Sequence, residues 1–313
     1  MHVVDALQRA FADALSHQCS LMLVLDTAPA ENTHAELDRI GVPYLSLFDC
    51  TPEESLLEIA PLLIPLATLD ASLRRRVFER VEKLAYAAPC LTWLETDASP
   101  HDLAQHLRQF HTVGLSDNQS MLMRWYDTRI LPVWFSCLTH DQAAAFMAHV
   151  AHCAYVDRFG EVSTLSFEAA PISFPAPPPY GEPLVKLTDA QYGMLVDATE
   201  LDVLMKHLRQ VIPDELKRVP VRALTAFVSK HQQAALTAGF DDIDRQAQYV
   251  LLALYTGGLG TASPEFLALL KKPPLSLEAL AQGIQDLPDA VTEAGTPLWD
   301  TIPAHEHHKA LNA

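Results

Sequence analysis

Residues 169–184, AAPISFPAPPPYGEPL, contain six prolines. Proline fixes its own φ and removes a backbone donor, so neither a core helix nor a central strand runs through such a stretch. The chain is therefore expected to divide here, into a first lobe over 1–168, a semi-rigid extended linker over 169–186 and a second lobe over 187–313. A proline-rich ligand for a small recognition domain is the other reading of the linker, and a plain tether is the simpler one.

Before the linker, strand-like and helix-like patterns alternate. Apolar positions 3, 4, 7, 11, 14 and 15 have helical spacing, and CSLMLVLD (19–26) is the near-continuous apolar run of a strand buried on both faces. YLSLF reads as a strand, and TPEESLLEI predicts a helix with Thr51 as N-cap, Pro52 at the first helical position and Glu54 closing a capping box. LLIPLAT is extended. A helix over 70–87 follows, with Leu73, Val77, Val81 and Leu84 on one side, and CLTWLET returns to a strand. Ser99 and Pro100 start the helix SPHDLAQHLRQF, and HTVGL and MLMRWYD are two strands joined across the turn-rich SDNQ. Two more helices, the second capped by Thr139 and Gln142, lead to CAYVDR and EVSTLSF, a hairpin around Phe159 and Gly160. The pattern implies an α/β lobe, a mixed sheet with flanking helices.

Beyond the linker only helical spacing remains. It starts at a capping box from Thr188 to Gln191 and continues through QYGMLVDATELDVLMKHLRQVI, VRALTAFVSKHQQAALTAG and DDIDRQAQYVLLALY, an all-α lobe. The last 25 or so residues, with Pro288, Pro297, Pro303 and HEHH at 305–308, lack a clear period and read as an irregular tail.

With 313 residues, 49% of them hydrophobic, the chain can bury a sizeable core. Its net charge of −17, from 22 basic against 39 acidic residues, argues against nucleic acid, whose binders concentrate Lys and Arg to displace counterions. The basic cluster Arg74–Arg76 alternates with Glu79 and Glu82 and reads as a solvated helix face. No stretch approaches the roughly 18 to 20 apolar residues of a membrane span, and MHVVDALQRAFADAL is amphipathic rather than a charged segment followed by an apolar core. A soluble, cytoplasmic protein is expected. The five cysteines, at 19, 50, 90, 137 and 153, have no CxxC spacing and read as small buried hydrophobes.

The search for reaction centres is negative. The chain has no G-x-S-x-G elbow, P-loop or H-E-x-x-H, and the turn after the first strand, DTAPAENTH, has no glycine to admit a pyrophosphate. GGLG at 257–260 follows a helix, so it is a helix stop rather than a phosphate cradle. His149, His152 and Cys153 are close in sequence, but no second cluster completes four ligands. Asp241, Asp242 and Asp244 are first-turn carboxylates of a helix. No catalytic residue, cofactor or metal is expected.

One charged motif remains, inside MLMRWYDTRILP. On an ideal strand Arg124 and Asp127 point to opposite faces, so they need a turn to meet. Asp127 is placed to cap a helix starting near Thr128, with Arg124 or Arg129 pairing to it. The expected element is a strand-to-helix clasp.

LFDCTPEESLLEIAPLLIPL, WLETDASPHDLAQHLRQF, MLMRWYDTRILPVWF and LTHDQAAAFM occur in an order and spacing that resembles the N-terminal domain of the type VI secretion adaptor family, over roughly residues 20–165. The most specific part is Arg124, Trp125, Tyr126, Asp127 and Arg129; Thr128 stands where the family commonly has proline. The second lobe is similar in layout. The resemblance implies a non-enzymatic bacterial chaperone that holds a toxic effector and loads it onto the VgrG spike, with these two proteins as partners. It carries over no catalytic residue. Two other classes compete with it: a hydrolase with an unfamiliar active site, and a sensor binding a small molecule beside the strand ends.

Overall fold

The computed structural model describes residues 2–30, 32–167, 183–271 and 276–301. They fall into two compact units, Met1–Ala198 and Thr199–Ala313.

In the first unit the elements are α1 (Val3–Ser16), β1 (Ser20–Leu25), α2 (Thr33–Ile40), β2 (Leu45–Ser46), β3 (Leu62–Pro65), α3 (Ala71–Ala87), β4 (Leu91–Thr96) and α4 (Pro100–Arg108). They continue with β5 (Thr112–Gly114), β6 (Ser120–Leu122), α5 (Leu131–Cys137), α6 (His140–Phe146), β7 (Val150–Val156), β8 (Val162–Leu165), β9 (Val185–Lys186) and α7 (Asp189–Asp197). Among the described residues the large sheet has the order β2-β3-β1-β4-β7-β8 and the small one β6-β5-β9.

Strand β1 shows why its sequence is apolar throughout. Side chains alternate across a strand, and here both faces are covered: Leu21, Leu23 and Leu25 enter one core while Met22 and Val24 enter the other. The first core is closed by Leu7 of α1, Leu37 of α2 and Val77 and Val81 of α3. The second is closed by Leu103 and Leu107 of α4, Trp134 of α5, Phe146 of α6 and Leu195 of α7.

Every pairing in the large sheet is antiparallel. Leu23 faces Ile64 of β3 on one side and Trp93 of β4 on the other, so β3 and β4 run in the same direction with β1 between them and α3 connecting them. A helix between two strands gives a parallel pair only when nothing is inserted beside it, and β1 is inserted here. The parallel pair of the unit is β5–β9 in the small sheet.

Two sequence expectations are corrected within this unit. TPEESLLEI does not form an α-helix: Thr51 turns its hydroxyl back to the Phe48 carbonyl at 2.8 Å, and only a 3-10 turn, Leu57–Ile59, follows. A short helix is marginal without an apolar face to bury, and Leu56, Leu57 and Ile59 are all exposed. The second lobe also does not begin at residue 187. Val185, Leu187 and Leu195 are buried in the core of the first unit, and Gln191, within the Thr188 capping box, donates to the Cys137 carbonyl at 2.8 Å. The expected linker lies outside the described residues over 168–182, while Val185–Lys186, at its end, is strand β9.

The second unit is helical: α8 (Glu200–Val211), α9 (Pro213–Leu216), α10 (Val221–Thr237), α11 (Ile243–Thr256), α12 (Pro264–Leu270), α13 (Leu277–Gln285), α14 (Asp289–Thr292) and α15 (Leu298–Thr301). α11 is buried on two sides, with Val250 and Leu254 against Leu204, Leu208 and Val228, and Tyr249 and Leu252 against Phe240, Phe266 and Leu280. It ends at Gly257, a left-handed C-cap as GGLG implies. Part of the expected irregular tail is anchored, since Val291 and Trp299 are buried; HEHH lies outside the described residues.

Candidate functional site

The motif that the sequence singles out sits where β6 ends and α5 begins. Strand pairing stops at Leu122, and Arg124–Ile130 is a run of turns. α5 starts at Leu131, later than the expected position near Thr128, and Asp127 is not its N-cap: Ile130 takes that place with no side-chain cap, while the Asp127 side chain caps the preceding turn, accepting from the Arg129 amide at 3.0 Å, and its carbonyl accepts from the amides of Ile130 and Leu131.

This turn brings the charges together. Arg129 grips Asp127 with two nitrogens, Nε to Oδ1 at 3.0 Å and Nη2 to Oδ2 at 2.7 Å. Arg124 lies 3.9 Å from Asp127 and donates at 2.8 Å to Asp26, the residue after β1. The second oxygen of Asp26 accepts the amide of Ala28 at 3.1 Å. Asp26 was not a sequence candidate. The signal for it is a carboxylate ending an otherwise apolar buried strand, which requires a cation nearby.

Both carboxylates are buried while both guanidinium groups reach water. Burial raises the Asp26 pKa above the usual carboxylate range, with Asp127 adding to the effect and Arg124 opposing it. Burial works to lower the pKa of Arg124, but Asp26 and Asp127 outweigh it and hold the guanidinium above its ordinary value. Charge-assisted pairing of this kind fixes geometry.

Trp125 and Tyr126 point inward. Both are fully buried, and they pack against each other with ring centroids 5.7 Å apart and against His111 at 5.9 and 5.5 Å. Phe48 closes the cluster, 5.6 Å from His111, and the Arg124 guanidinium lies 5.8 Å from the Tyr126 ring. Burial, with Arg108 adding to it, lowers the His111 pKa to about 3, and neither ring nitrogen has a hydrogen-bond partner among the described residues. Burial raises the Tyr126 pKa above its ordinary value.

Chemically the arrangement is closed. Asp127 is occupied by Arg129 and the turn amide, Asp26 by Arg124 and an amide, and arginine does not give up its proton. The other sequence candidates stay apart or are structural: Cys153 is buried in β7 with its pKa raised by burial to about 12, and His152 is exposed on the same strand. His149 stands in a left-handed turn at φ 67°. Among the described residues no three His, Cys, Asp or Glu side chains gather as a metal site. Asp242 caps α11 by accepting the Arg245 amide at 2.9 Å, and Asp241 pairs with Arg245.

A family model described as Domain of unknown function (DUF4123) matches residues 21–145. The matched stretch runs from β1 through most of α6 and contains both halves of the clasp. Neither a curated protein nor a solved structure matches the chain.

Proposed function

We propose that this chain is a non-enzymatic adaptor that binds a type VI secretion effector in the bacterial cytoplasm and loads it onto the VgrG spike. The matched family is generally associated with type VI effector adaptors, and the resemblance read from the sequence falls on the same stretch. The observation that carries binding rather than catalysis is the clasp. Its carboxylates and cations satisfy one another, so the most distinctive motif of the chain is spent on holding β1 to the turn before α5. The net charge of −17 disfavours nucleic acid as a partner. Among the described residues no helix is long and apolar enough to cross a membrane.

The test is co-purification of a tagged effector and the spike protein with the full chain. A ternary complex, with no turnover of ester, peptide or phosphate substrates by the purified protein, is the expected result. Turnover that disappears on replacing a single Ser, Cys or His overturns the reading.

A further inference from the structure

The cations of Arg74–Arg76 do not act as one solvated row. Arg74 lies over the Phe11 ring at 4.1 Å and donates to the Leu69 carbonyl, and Arg75 pairs with Glu79 at 3.5 Å. Arg76 instead lines a groove between α2 and α3, of about 430 Å3, together with Arg80 and Lys83 of α3 and Arg39 of α2. Pockets of about 300 to 1,000 Å3 are the usual size for small ligands.

The carboxylates on the groove are already committed. Glu36 pairs with Arg80 at 2.5 Å, Glu79 is held by Arg75, and Glu82 accepts the Val4 amide at 3.1 Å with His2 beside it. Arg39, Arg76 and Lys83 have no ion-pair partner among the described residues, and the buried Nε of Arg80 has no hydrogen-bond partner. In a chain of net charge −17, the groove gathers four cations, Arg39, Arg76, Arg80 and Lys83, against the three carboxylates Glu36, Glu79 and Glu82, a local excess of positive charge against the net charge.

We infer that this groove binds a small phosphorylated molecule of the di- or triphosphate class. Arg76 and Lys83 stand seven residues apart on α3, about 10 Å along the helix axis, with Arg39 on the opposite wall. A chain of adjacent phosphate groups offers oxygens in all directions along that length. Arginine forks take two of them at once, and lysine takes one as a point charge. Ile40, half-buried on the α2 wall, gives the organic part of such a molecule an apolar surface. The site lies on the face of the sheet opposite α4–α7 and shares no residue with the clasp, so it goes beyond the adaptor reading and does not depend on it.

The experiment is titration calorimetry of the full chain with inorganic tripolyphosphate at fixed ionic strength, with citrate as the carboxylate probe. Saturable binding at one site is expected, weakened tenfold or more in Arg76→Gln/Lys83→Gln and in Arg39→Gln, and unchanged in the charge-matched control Lys206→Gln/Lys230→Gln. Melting curves report that each variant folds; Arg39, Arg76 and Lys83 are exposed, so they should. Absence of saturable binding, or equal weakening in the control, overturns the site. Citrate binding as tightly as tripolyphosphate overturns the phosphate assignment.

Discussion

Arg124 and Asp26, 98 residues apart in sequence, meet at 2.8 Å. The pair is lopsided: the carboxylate is 1% exposed and the guanidinium 39%. Removing the cation strands a buried anion, whereas removing the anion leaves an arginine that water receives. Arg124→Ala is therefore expected to cost more stability than Asp26→Asn, about 2 to 3 kcal/mol against about 1 kcal/mol after allowance for the exposed arginine. The burial that raises the Asp26 pKa gives this difference a pH dependence. It is largest above the raised carboxylate pKa and shrinks as acid neutralises Asp26. Urea denaturation of both variants at pH 7.5 and pH 5 measures it.

Asp127→Ala removes a turn cap and a two-nitrogen grip together, and is expected to cost roughly 1 to 3 kcal/mol. Partner capture should decline only in step with folding. Unchanged melting with lost capture would make the motif a contact surface instead.

His111 is neutral in the fold down to a pKa of about 3, against 6.5 in its ordinary state. A depressed histidine lets the unfolded chain bind the proton first, so its stabilising share is complete above pH 6.5 and is lost as pH falls toward 3, by about 1.4 kcal/mol per unit. His106, lowered by burial, acts in the same sense, and Asp26, raised by burial, acts against it. His111→Phe keeps the ring contacts and drops two unpartnered nitrogens. Chemical denaturation between pH 7.5 and 4.5 should show a flatter stability profile for this variant than for the parent.

A fragment ending at residue 198 should be markedly more stable than one ending at residue 168. The shorter fragment loses Val185, Leu187 and Leu195 from the core and the Gln191 bond to Cys137. Each buried aliphatic is worth about 1.5 to 3 kcal/mol, so the deficit is several kcal/mol. Thermal melts of the two fragments side by side decide the boundary.

Gly257→Ala should destabilise the second unit. Its φ of 59° is left-handed, and an added Cβ would stand 2.7 Å from the Thr296 carbonyl oxygen. Strain and clash together predict a loss of about 1 to 3 kcal/mol, seen as earlier loss of helical signal on heating.

The elements legible in the sequence are those whose signal is local. The Ser99 cap, the capping boxes at Thr139 and Thr188 and the β1 run all form, and Arg129 pairs with Asp127, which caps a turn and not α5. The failures are tertiary. Thr51, Pro52 and Glu54 satisfy every local rule for a helix start, yet Leu56 and Leu57 find no surface to bury them. α7 has the helical spacing of the second lobe, and contacts far away in sequence, the Gln191 bond to the Cys137 carbonyl 54 residues back and the burial of Leu195 in the first core, assign it to the first unit. Asp26 likewise has no local reason to matter until β6 and its turn arrive beside β1. No motif led to the groove beside α3, because its meaning lies in which of the arginines are left without carboxylates.

Because β9 pairs in parallel with β5, the elements on both sides of the proline-rich segment, β8 and β9, belong to the first unit. Its length therefore does not measure the separation of the two units. Doubling the length of a connection between two fixed ends costs only about 0.6 kcal/mol, so an affinity peptide or a fluorescent label inserted between β8 and β9 should leave both units whole.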